Sequence, residues 1–480
     1  SEAIRNIALE FSRSVFLPKK TGLPLTTLIP VKPNLDCSYT ADKRYSLEYG
    51  MGIVTDPYFI EGVIQGLKNL GLPANRFFIR EVNCPFDFEP RGYTAMAQRA
   101  GAELRDMSAG IGVLPTKDIV WKNVPGGVWF TKIPYLSPVN APNSWLLNIA
   151  KFKTDGMGLS LCAKNLQGTN VQGFNDHSRP YEENMLITED SWRSDAKTVI
   201  QTNYNRHVAD GIPRWARPQR ETKDGGLWQE TWASRCIDNN TVTKAGLHII
   251  EGIYGRDGNG TLNGPNPPGN ENSAVGEAWD YMTNVIIFGL NPFHVDIIGH
   301  WMGGHEPGNF GLFHLAKERG LSRVINPARI AIYLWGPKTF GLKFVTPAEL
   351  PRTPLKTYYL QKDYLGQTEP LYHLCDEPFQ YPNEPIAVRD DRPAAFVLSQ
   401  NRPNPFNPFT SIEFSIPEAG NVRLEVYNAA GQRVDVLAEG FYPAGSHMAI
   451  WNTHARASGV YFYRLRFREF SETKKMTLLR

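Results

Sequence analysis

The segment Trp145-Leu-Leu-Asn-Ile-Ala150 is a short apolar run that continues directly into Lys151-Phe-Lys-Thr154. Short apolar runs with polar ends are typical of strands that are buried on both faces. Similar runs lie at residues 28–32, 76–82, 247–251, 284–289 and 329–334, and helical patterns lie at residues 56–70 and 93–100. Because strands and helices alternate, the sequence predicts an α/β domain with a mostly parallel sheet flanked by helices.

A different pattern begins at residue 396. Polar and apolar residues alternate in segments 411–416, 422–427 and 460–467, which is typical of strands buried on one face. Turn signals between these segments indicate about seven short strands. The sequence therefore predicts three parts: the α/β domain at 1–336, a Pro-rich linker at 337–395 that packs on it, and a small all-β, Ig-like sandwich at 396–480.

Charge, hydropathy and cysteine spacing exclude several classes of protein. The 480 residues contain 51 basic and 48 acidic side chains, a net charge of +3, so neither nucleic acid nor an anionic membrane is predicted as a partner. The most apolar stretch, residues 284–302, is interrupted by Asn291, His294 and Asp296, so no transmembrane segment is predicted. The five cysteines have no Cys-x-x-Cys spacing and therefore form no iron–sulfur cluster motif.

Lysine and asparagine side chains follow two of the predicted strands. The candidate ligand-binding residues are Lys32, Asn34, Lys151, Lys153, Lys164 and Asn165. Open parallel sheets bind ligands beyond the carboxyl ends of their strands, where the strand order reverses. If these segments adjoin, their ammonium and amide groups would converge on a crevice suited to a phosphate or a carboxylate. The alternative is that Lys32 and Lys164 form ion pairs with Asp56, Asp155 or Asp296 and that the asparagines cap turns.

A second group of residues suggests a divalent metal site. Asp296 and His300 are four positions apart and share one face of a predicted helix. His305 follows in a glycine turn, and Glu251 ends a predicted strand. Imidazole and carboxylate groups bind divalent metals, although this spacing matches no established motif. The alternative is that the histidines are hydrogen-bonded structural residues.

Three motifs of the first domain resemble one known family. Val31-Lys-Pro-Asn-Leu35, Lys151-Phe-Lys-Thr154 and Lys164-Asn-Leu-Gln-Gly168 occur in an order that resembles the domain-of-unknown-function 362 family, over about residues 28–335. Many members carry cysteine-rich, ferredoxin-type segments, which implies redox chemistry, but this chain has no such segment. Asp155 also stands where the family usually has His, and Glu251 where it often has Asp. The resemblance names no reaction and no catalytic residue.

Three motifs of the last domain resemble a second family. Pro403-Asn-Pro-Phe-Asn-Pro408, Gly459-Val-Tyr-Phe-Tyr-Arg464 and Lys474-Lys475 occur together and in order, as in the C-terminal sorting domain of type IX secretion cargo. This resemblance implies export to the outer cell surface or the extracellular space, with the type IX secretion machinery as a partner. No signal peptide is present at Ser1, so we expect the numbering to begin after its removal.

Three functions are open at this point. The α/β domain could act on a small anionic organic ligand, as a binding protein or an enzyme, with or without a divalent metal. Alternatively, copies of the chain could assemble into an extracellular filament or surface structure. A third alternative is a carbohydrate-binding surface protein, which would need rows of exposed aromatic side chains.

Overall fold

A computed structural model of the chain describes most of its residues. The described ranges are 2–15, 24–35, 52–82, 88–107, 114–155, 158–159, 161–171, 193–212, 227–258, 280–336, 339–357, 374–382, 396–417, 420–442, 445–453 and 456–479. The chain divides into two compact units, one of Ser1–Pro327 with Pro351–Asn383 and one of Ala328–Leu350 with Glu384–Arg480. The domain boundaries expected at residues 336 and 395 stay predictions.

The first unit is an α/β domain. Its helices are α1 (Glu2–Val15), α2 (Pro57–Asn69), α3 (Tyr93–Ala100), α4 (Cys162–Asn165), α5 (Ala196–Ala209), α6 (Leu227–Val242), α7 (Pro292–Met302) and α8 (Gly311–Glu318). Its strands are β1 (Ile29–Lys32), β2 (Phe77–Glu81), β3 (Glu103–Asp106), β4 (Ile119–Asn123), β5 (Lys132–Leu136), β6 (Leu146–Asp155), β7 (Gly158–Leu159), β8 (Ala245–Arg256) and β9 (Asp280–Gly289).

The main sheet of this unit has the order β3-β2-β1-β6-β8-β9. The short strand β7 pairs with the last two residues of β6. The pairs from β3 through to β8 are all parallel, and β9 is antiparallel to β8. The predicted mostly parallel sheet with flanking helices is therefore confirmed. Strands β4 and β5 form a separate antiparallel pair.

Helix α2 illustrates how local sequence sets this architecture. The Asp56 carboxylate accepts hydrogen bonds from the Tyr58 and Phe59 amides, and Pro57 opens the first turn of the helix predicted at residues 56–70. The helix packs closely on α1, because a Cβ atom at Gly62 would lie only 2.4 Å from the Arg5 carbonyl oxygen. Glycine is needed at this position to let the two helix backbones approach.

The second unit is all-β. Its strands are β10 (Ile332–Gly336), β11 (Thr339–Val345), β12 (Val397–Leu398), β13 (Phe409–Ile416), β14 (Gly420–Asn428), β15 (Arg433–Tyr442), β16 (Gly445–Asn452), β17 (Gly459–Phe467) and β18 (Phe470–Leu478). Strands β10 and β11 form a hairpin. The others form the sheets β12-β13-β16 and β15-β14-β17-β18, whose facing apolar side chains make one core. This arrangement confirms the predicted Ig-like sandwich.

The proline-rich motif at residues 403–408 protects one edge of the sandwich. The Phe406 amide donates to the Thr477 carbonyl at 3.0 Å, and the Leu479 amide donates to the Phe406 carbonyl at 2.9 Å. The Asn404 side chain accepts from the Thr477 amide at 2.9 Å. The motif therefore covers the end of β18, which would otherwise expose unpaired backbone groups at the sheet edge.

None of the helices described here is both long and apolar enough to cross a membrane. Of the five cysteines, Cys162, Cys236 and Cys375 are buried free thiols. Cys37 and Cys84 lie outside the described residues.

Candidate functional site

The strand order places the reversal point between β1 and β6. From β1 the chain proceeds to β2 and β3 on one side, whereas β6 and β8 lie on the other side. Lys32 at the end of β1 pairs in register with Asn148 of β6. The carboxyl ends of these two strands therefore flank the crevice where parallel sheets bind ligands.

Lys32 is buried at this edge of the sheet. Its Nζ atom lies 2.5 Å from Glu81 Oε2, 2.6 Å from the Pro33 carbonyl oxygen and 3.2 Å from Asn165 Oδ1. An ammonium group has three N–H donors, so all three are used. Lys32 consequently holds the strand ends together and has no donor left for a ligand.

Three asparagines extend this hydrogen-bond network across the crevice. Asn165 accepts from Asn34 Nδ2 at 3.2 Å and donates to Asn148 Oδ1 at 2.8 Å. Asn148 in turn donates to the Cys162 carbonyl at the start of α4. The predicted residues Lys32, Asn34 and Asn165 thus lie in direct contact, and Asn148 joins them.

Lys151 lies on the adjoining strand in a different environment. Its Nζ atom is 2.7 Å from Glu251 Oε2, and both side chains are completely buried. Glu251 also accepts from the amides of Ile253 at 2.9 Å and Asp56 at 3.2 Å. Among the described residues, Glu251 is the one hydrogen-bond partner of the Lys151 ammonium. The described residues therefore account for one of its three N–H donors.

Thr55 connects the Lys32 network to the Lys151 pair. Its hydroxyl accepts from the Asn34 amide at 2.9 Å and donates to the Ile149 carbonyl of β6 at 2.9 Å. Asp56 follows directly and contacts Glu251 through its amide. Lysines from β1 and β6 therefore belong to one continuous polar cluster at the strand ends.

The other two predicted lysines differ from each other. Lys153 is buried, two residues beyond Lys151 on β6. Lys164 lies on α4 beside Asn165, but its ammonium group is 4.5 Å from the centre of the Trp232 ring on α6. The structure therefore does not bring Lys164 to the Lys32 network.

The carboxylates of the cluster were not among the sequence candidates for ligand binding. The alternative interpretation paired Lys32 with Asp56, Asp155 or Asp296, and this pairing is wrong, because the partner is Glu81. Glu81 is the last residue of β2, and β2 lies beside β1. The one indication of this role in the sequence was that Glu81 lies near the end of an apolar run predicted to be a buried strand.

Asp56 is the carboxylate of this cluster whose two oxygens differ in their hydrogen bonds. Its Oδ1 accepts from the Tyr58 and Phe59 amides at 2.7 Å and 3.4 Å. Its Oδ2 accepts no hydrogen bond from any residue described here, and the residue is 8% exposed. Burial, reinforced by the nearby Glu251 charge, raises the pKa of Asp56 to about 6. In the sequence, Asp56 was considered only as a possible ion-pair partner of Lys32 or Lys164.

The four predicted metal ligands have other partners in the structure. Asp296 accepts from the Cys162 and Ala163 amides, each at 2.8 Å, and burial raises its pKa to about 7. Glu251 is paired with Lys151. In the described part of the chain, no three His, Cys, Asp or Glu side chains lie close enough together to hold a metal.

The two histidines of that set are held by backbone groups. His300 Nδ1 lies 2.8 Å from the Asp296 carbonyl, and the ring packs against Phe310. His305 donates from Nε2 to the Leu355 carbonyl at 2.7 Å, and its Nδ1 accepts from the Cys375 amide at 3.1 Å. These bonds match the alternative of satisfied structural histidines, and the metal site stays a prediction.

Comparison with known proteins identifies both parts of the chain. The family model described as a domain of unknown function, number 362, matches residues 29–300, which include the whole polar cluster. A model described as a secretion system C-terminal sorting domain matches residues 402–478, the sandwich with its proline-rich motif. A search of curated proteins finds no significant match. The chain therefore belongs to the domain-of-unknown-function 362 family, and its type IX sorting domain directs it to the cell surface or the extracellular space.

Proposed function

We propose that the α/β domain binds a small anionic organic molecule in the crevice between the carboxyl ends of β1 and β6. The observation that carries this proposal is the buried ammonium group of Lys151, which has one hydrogen-bond partner among the described residues. A buried ammonium group with unused donors is costly in the absence of a partner, because each lost hydrogen bond leaves a desolvated polar group.

The groups next to Lys151 support the binding of an anion whose affinity depends on pH. Asp56 presents its unused oxygen beside the Lys151–Glu251 pair, and its pKa of about 6 lets it bind a proton near neutral pH. A protonated Asp56 can donate a hydrogen bond to an anion, whereas an ionised Asp56 repels it. The ligand class that fits is a phosphate or carboxylate compound whose binding becomes tighter as the pH falls.

The role of Lys32 in this proposal is positional. Because its three donors are used, it supports the asparagine network and does not contact the ligand. The network keeps Asn34 and Asn165 at fixed positions beside the crevice, which is how rigid sites orient polar ligands.

A thermal-shift panel tests the proposal with the full chain. Inorganic phosphate and simple mono- and dicarboxylates are added to the wild type and to Lys151→Met/Glu251→Gln, which removes both charges of the pair and keeps an acceptor oxygen at position 251. A ligand at about 100 times its Kd adds about 2.7 kcal/mol to the free energy of unfolding. We expect at least one anion to stabilise the wild type and not the variant.

The matched control is His207→Gln/Glu230→Gln, which neutralises another buried pair, on α5 and α6. This control should keep the anion response of the wild type. If no anion stabilises the wild type, or if the Lys151 variant responds equally, the proposed site is wrong.

Self-assembly is a second candidate function, and the edge strand β9 supports it. Within the described residues β9 pairs only with β8, and Met282 is 66% exposed, as is Leu290 just beyond the strand. An open edge with exposed apolar side chains is a template for pairing with another chain. Size-exclusion chromatography and negative-stain imaging test this candidate, because a filament subunit forms oligomers and a ligand-binding monomer does not.

A further inference from the structure

The β10–β11 hairpin and the sandwich form one compact unit, although the chain returns to the first unit between them. Residues 328–350 and 384–480 make up the second unit, whereas residues 351–383 belong to the first. The chain therefore passes from one unit to the other three times. The family model of the sorting domain begins its match at residue 402, so that match does not include the hairpin.

The segment that follows the hairpin is anchored in the first unit by backbone hydrogen bonds. The Thr353 amide donates to the Met302 carbonyl at 2.7 Å, and the Leu355 amide donates to the Gly303 carbonyl at 3.0 Å. The hairpin is thus joined to the first unit through the backbone at both of its ends. A cut within residues 384–395 would leave no covalent link between the first unit and the sandwich.

The hairpin lies at the open side of the sandwich. In the strand orders β12-β13-β16 and β15-β14-β17-β18, β16 ends one sheet and β15 ends the other. Strand β11 packs beside both of these edge strands. Edge strands expose unpaired backbone groups, and the core between two sheets is open at the side where both sheets end. The hairpin therefore covers a side of the sandwich that would otherwise be exposed.

Aromatic side chains join the hairpin to both edge strands. Tyr333 and Phe344 are register partners in the hairpin, and their ring centres are 5.8 Å apart. The Tyr333 hydroxyl lies 3.1 Å from His447 Nδ1 on β16, within hydrogen-bond distance. His447 is 7% exposed, and its ring lies 5.2 Å from that of the core residue Phe414 and 5.1 Å from that of Tyr442 on β15. The hairpin therefore extends the aromatic core of the sandwich.

From this arrangement we propose that the β10–β11 hairpin is a non-covalent tether, which docks between β15 and β16 and keeps the sandwich attached when the backbone within residues 384–395 is cut. Aromatic rings bury a large area, and a buried tyrosine hydroxyl usually keeps a hydrogen-bond partner, so they are effective anchors at interfaces. In the intact chain the hairpin and the sandwich are linked, which gives them a high effective concentration for each other.

Such a tether has a use where the chain works. The sorting domain directs the chain to the cell surface or the extracellular space. Proteases cut chains preferentially at exposed connecting segments and not within packed elements. A chain that is cut between the hairpin and the sandwich would keep its sorting domain, because the attachment does not depend on the severed backbone.

The test uses the full chain with a flexible glycine–serine insert between Asn383 and Phe396 that carries the recognition sequence of a site-specific protease. The insert makes the cut independent of the native conformation of this stretch. After complete cleavage, the first unit is immobilised through an N-terminal tag, and release of the sandwich fragment is followed over time at a concentration of about 1 μM.

The test variant is Tyr333→Ala/Phe344→Ala, which removes the two rings of the hairpin. The matched control is Phe396→Ala/Phe470→Ala, which removes another pair of rings, 5.7 Å apart, from the surface of the same unit. A milder second variant is His447→Leu, which removes the partner of the Tyr333 hydroxyl from the sandwich side. Thermal unfolding of each uncut variant verifies that it folds.

We expect the cut wild type and the control to retain the sandwich fragment. The Tyr333→Ala/Phe344→Ala variant should release it at least about tenfold faster, and His447→Leu should release it faster than the wild type does. Prompt release from the cut wild type would overturn the inference, and so would equal retention in the wild type and both hairpin-contact variants. Oligomers of the uncut chain that the Tyr333→Ala/Phe344→Ala variant disperses would also overturn it, because the hairpin would then dock on a second copy.

Discussion

The Lys32 ammonium lies 2.5 Å from the Glu81 carboxylate, and this buried ion pair joins the carboxyl ends of the neighbouring strands β1 and β2. Glu81 also accepts the Leu35 amide at 3.1 Å, so the pair fixes the chain as it leaves β1. The site proposed here depends on this fixed backbone, because Asn34 and the Thr55 contact lie in the same stretch.

Removal of one partner of this pair should be costly. Lys32→Met leaves the Glu81 carboxylate buried without its counter-charge, and such losses destabilise proteins by about 3–5 kcal/mol. The double variant Lys32→Met/Glu81→Met should recover a large part of that stability, because it buries no unpaired charge. Urea denaturation measures both variants. A single variant that loses less than about 1 kcal/mol would indicate that the pair is not buried as described.

Gly168 should be required for the position of Lys32. A Cβ atom at residue 168 would lie 2.8 Å from Lys32 Cε and 3.0 Å from Lys32 Nζ. We expect Gly168→Ala to cost about 1–3 kcal/mol, as overpacking does in other cores. In the Lys32→Met/Glu81→Met background the same change should cost clearly less, because no hydrogen bonds hold the methionine in place and it can move away. Strictly additive losses in a double-mutant cycle would show that the two residues do not interact.

The stability of the fold should depend on pH through Asp56. The folded-state pKa of about 6 exceeds the ordinary value of 3.8, so the folded protein binds this proton more tightly than the unfolded chain. The contribution of Asp56 is therefore fully present below about pH 4 and is lost as the pH rises through about 6 to about 7. Its size is about 3 kcal/mol, because a pKa difference of one corresponds to about 1.4 kcal/mol.

Asp56→Asn isolates this contribution, because asparagine is an equally good helix cap. The stability of the variant relative to the wild type should rise between about pH 4 and about pH 7 and then stay constant. Chemical denaturation at a series of pH values gives this difference. A constant difference over the whole range would mean that Asp56 has an ordinary pKa.

Self-assembly through β9 should respond to charge at its edge. If the chain forms oligomers, Met282→Lys/Leu290→Lys should disperse them, since lysines on an edge strand oppose pairing with another chain. The matched control is Leu25→Lys/Val208→Lys, at two other exposed apolar positions. This variant should leave the oligomers intact. Size-exclusion chromatography distinguishes the variants. A wild type that is monomeric at all concentrations would remove this candidate function.

The local features of the fold could be predicted from the sequence because neighbouring residues set them. The Asp56 cap and Pro57 mark the start of α2, and the alternation in β14 and β17 indicates one buried face. Strand β9 was also predicted, but its antiparallel direction depends on the path of the chain outside the strand. Periodicity carries no information about direction.

The partners within the site could not be predicted in the same way. Lys32 pairs with Glu81 because β1 and β2 are neighbours, and that order is a long-range property of the sheet. Lys164 and Asn165 are adjacent in sequence, but successive helical residues point about 100° apart, so one faces Trp232 and the other faces Lys32. The two residues are neighbours in the sequence motif, but the helix directs their side chains to different partners.

The most direct test of the central claim is a crystal structure of the full chain with the anion that stabilises it most in the thermal-shift panel. The account predicts that an oxygen of this anion lies about 3 Å from Lys151 Nζ, within hydrogen-bond distance, and near the Asp56 carboxyl group. It also predicts that the Lys32–Glu81 pair is unchanged. An anion bound elsewhere on the chain, with Lys151 contacting only Glu251, would contradict the account.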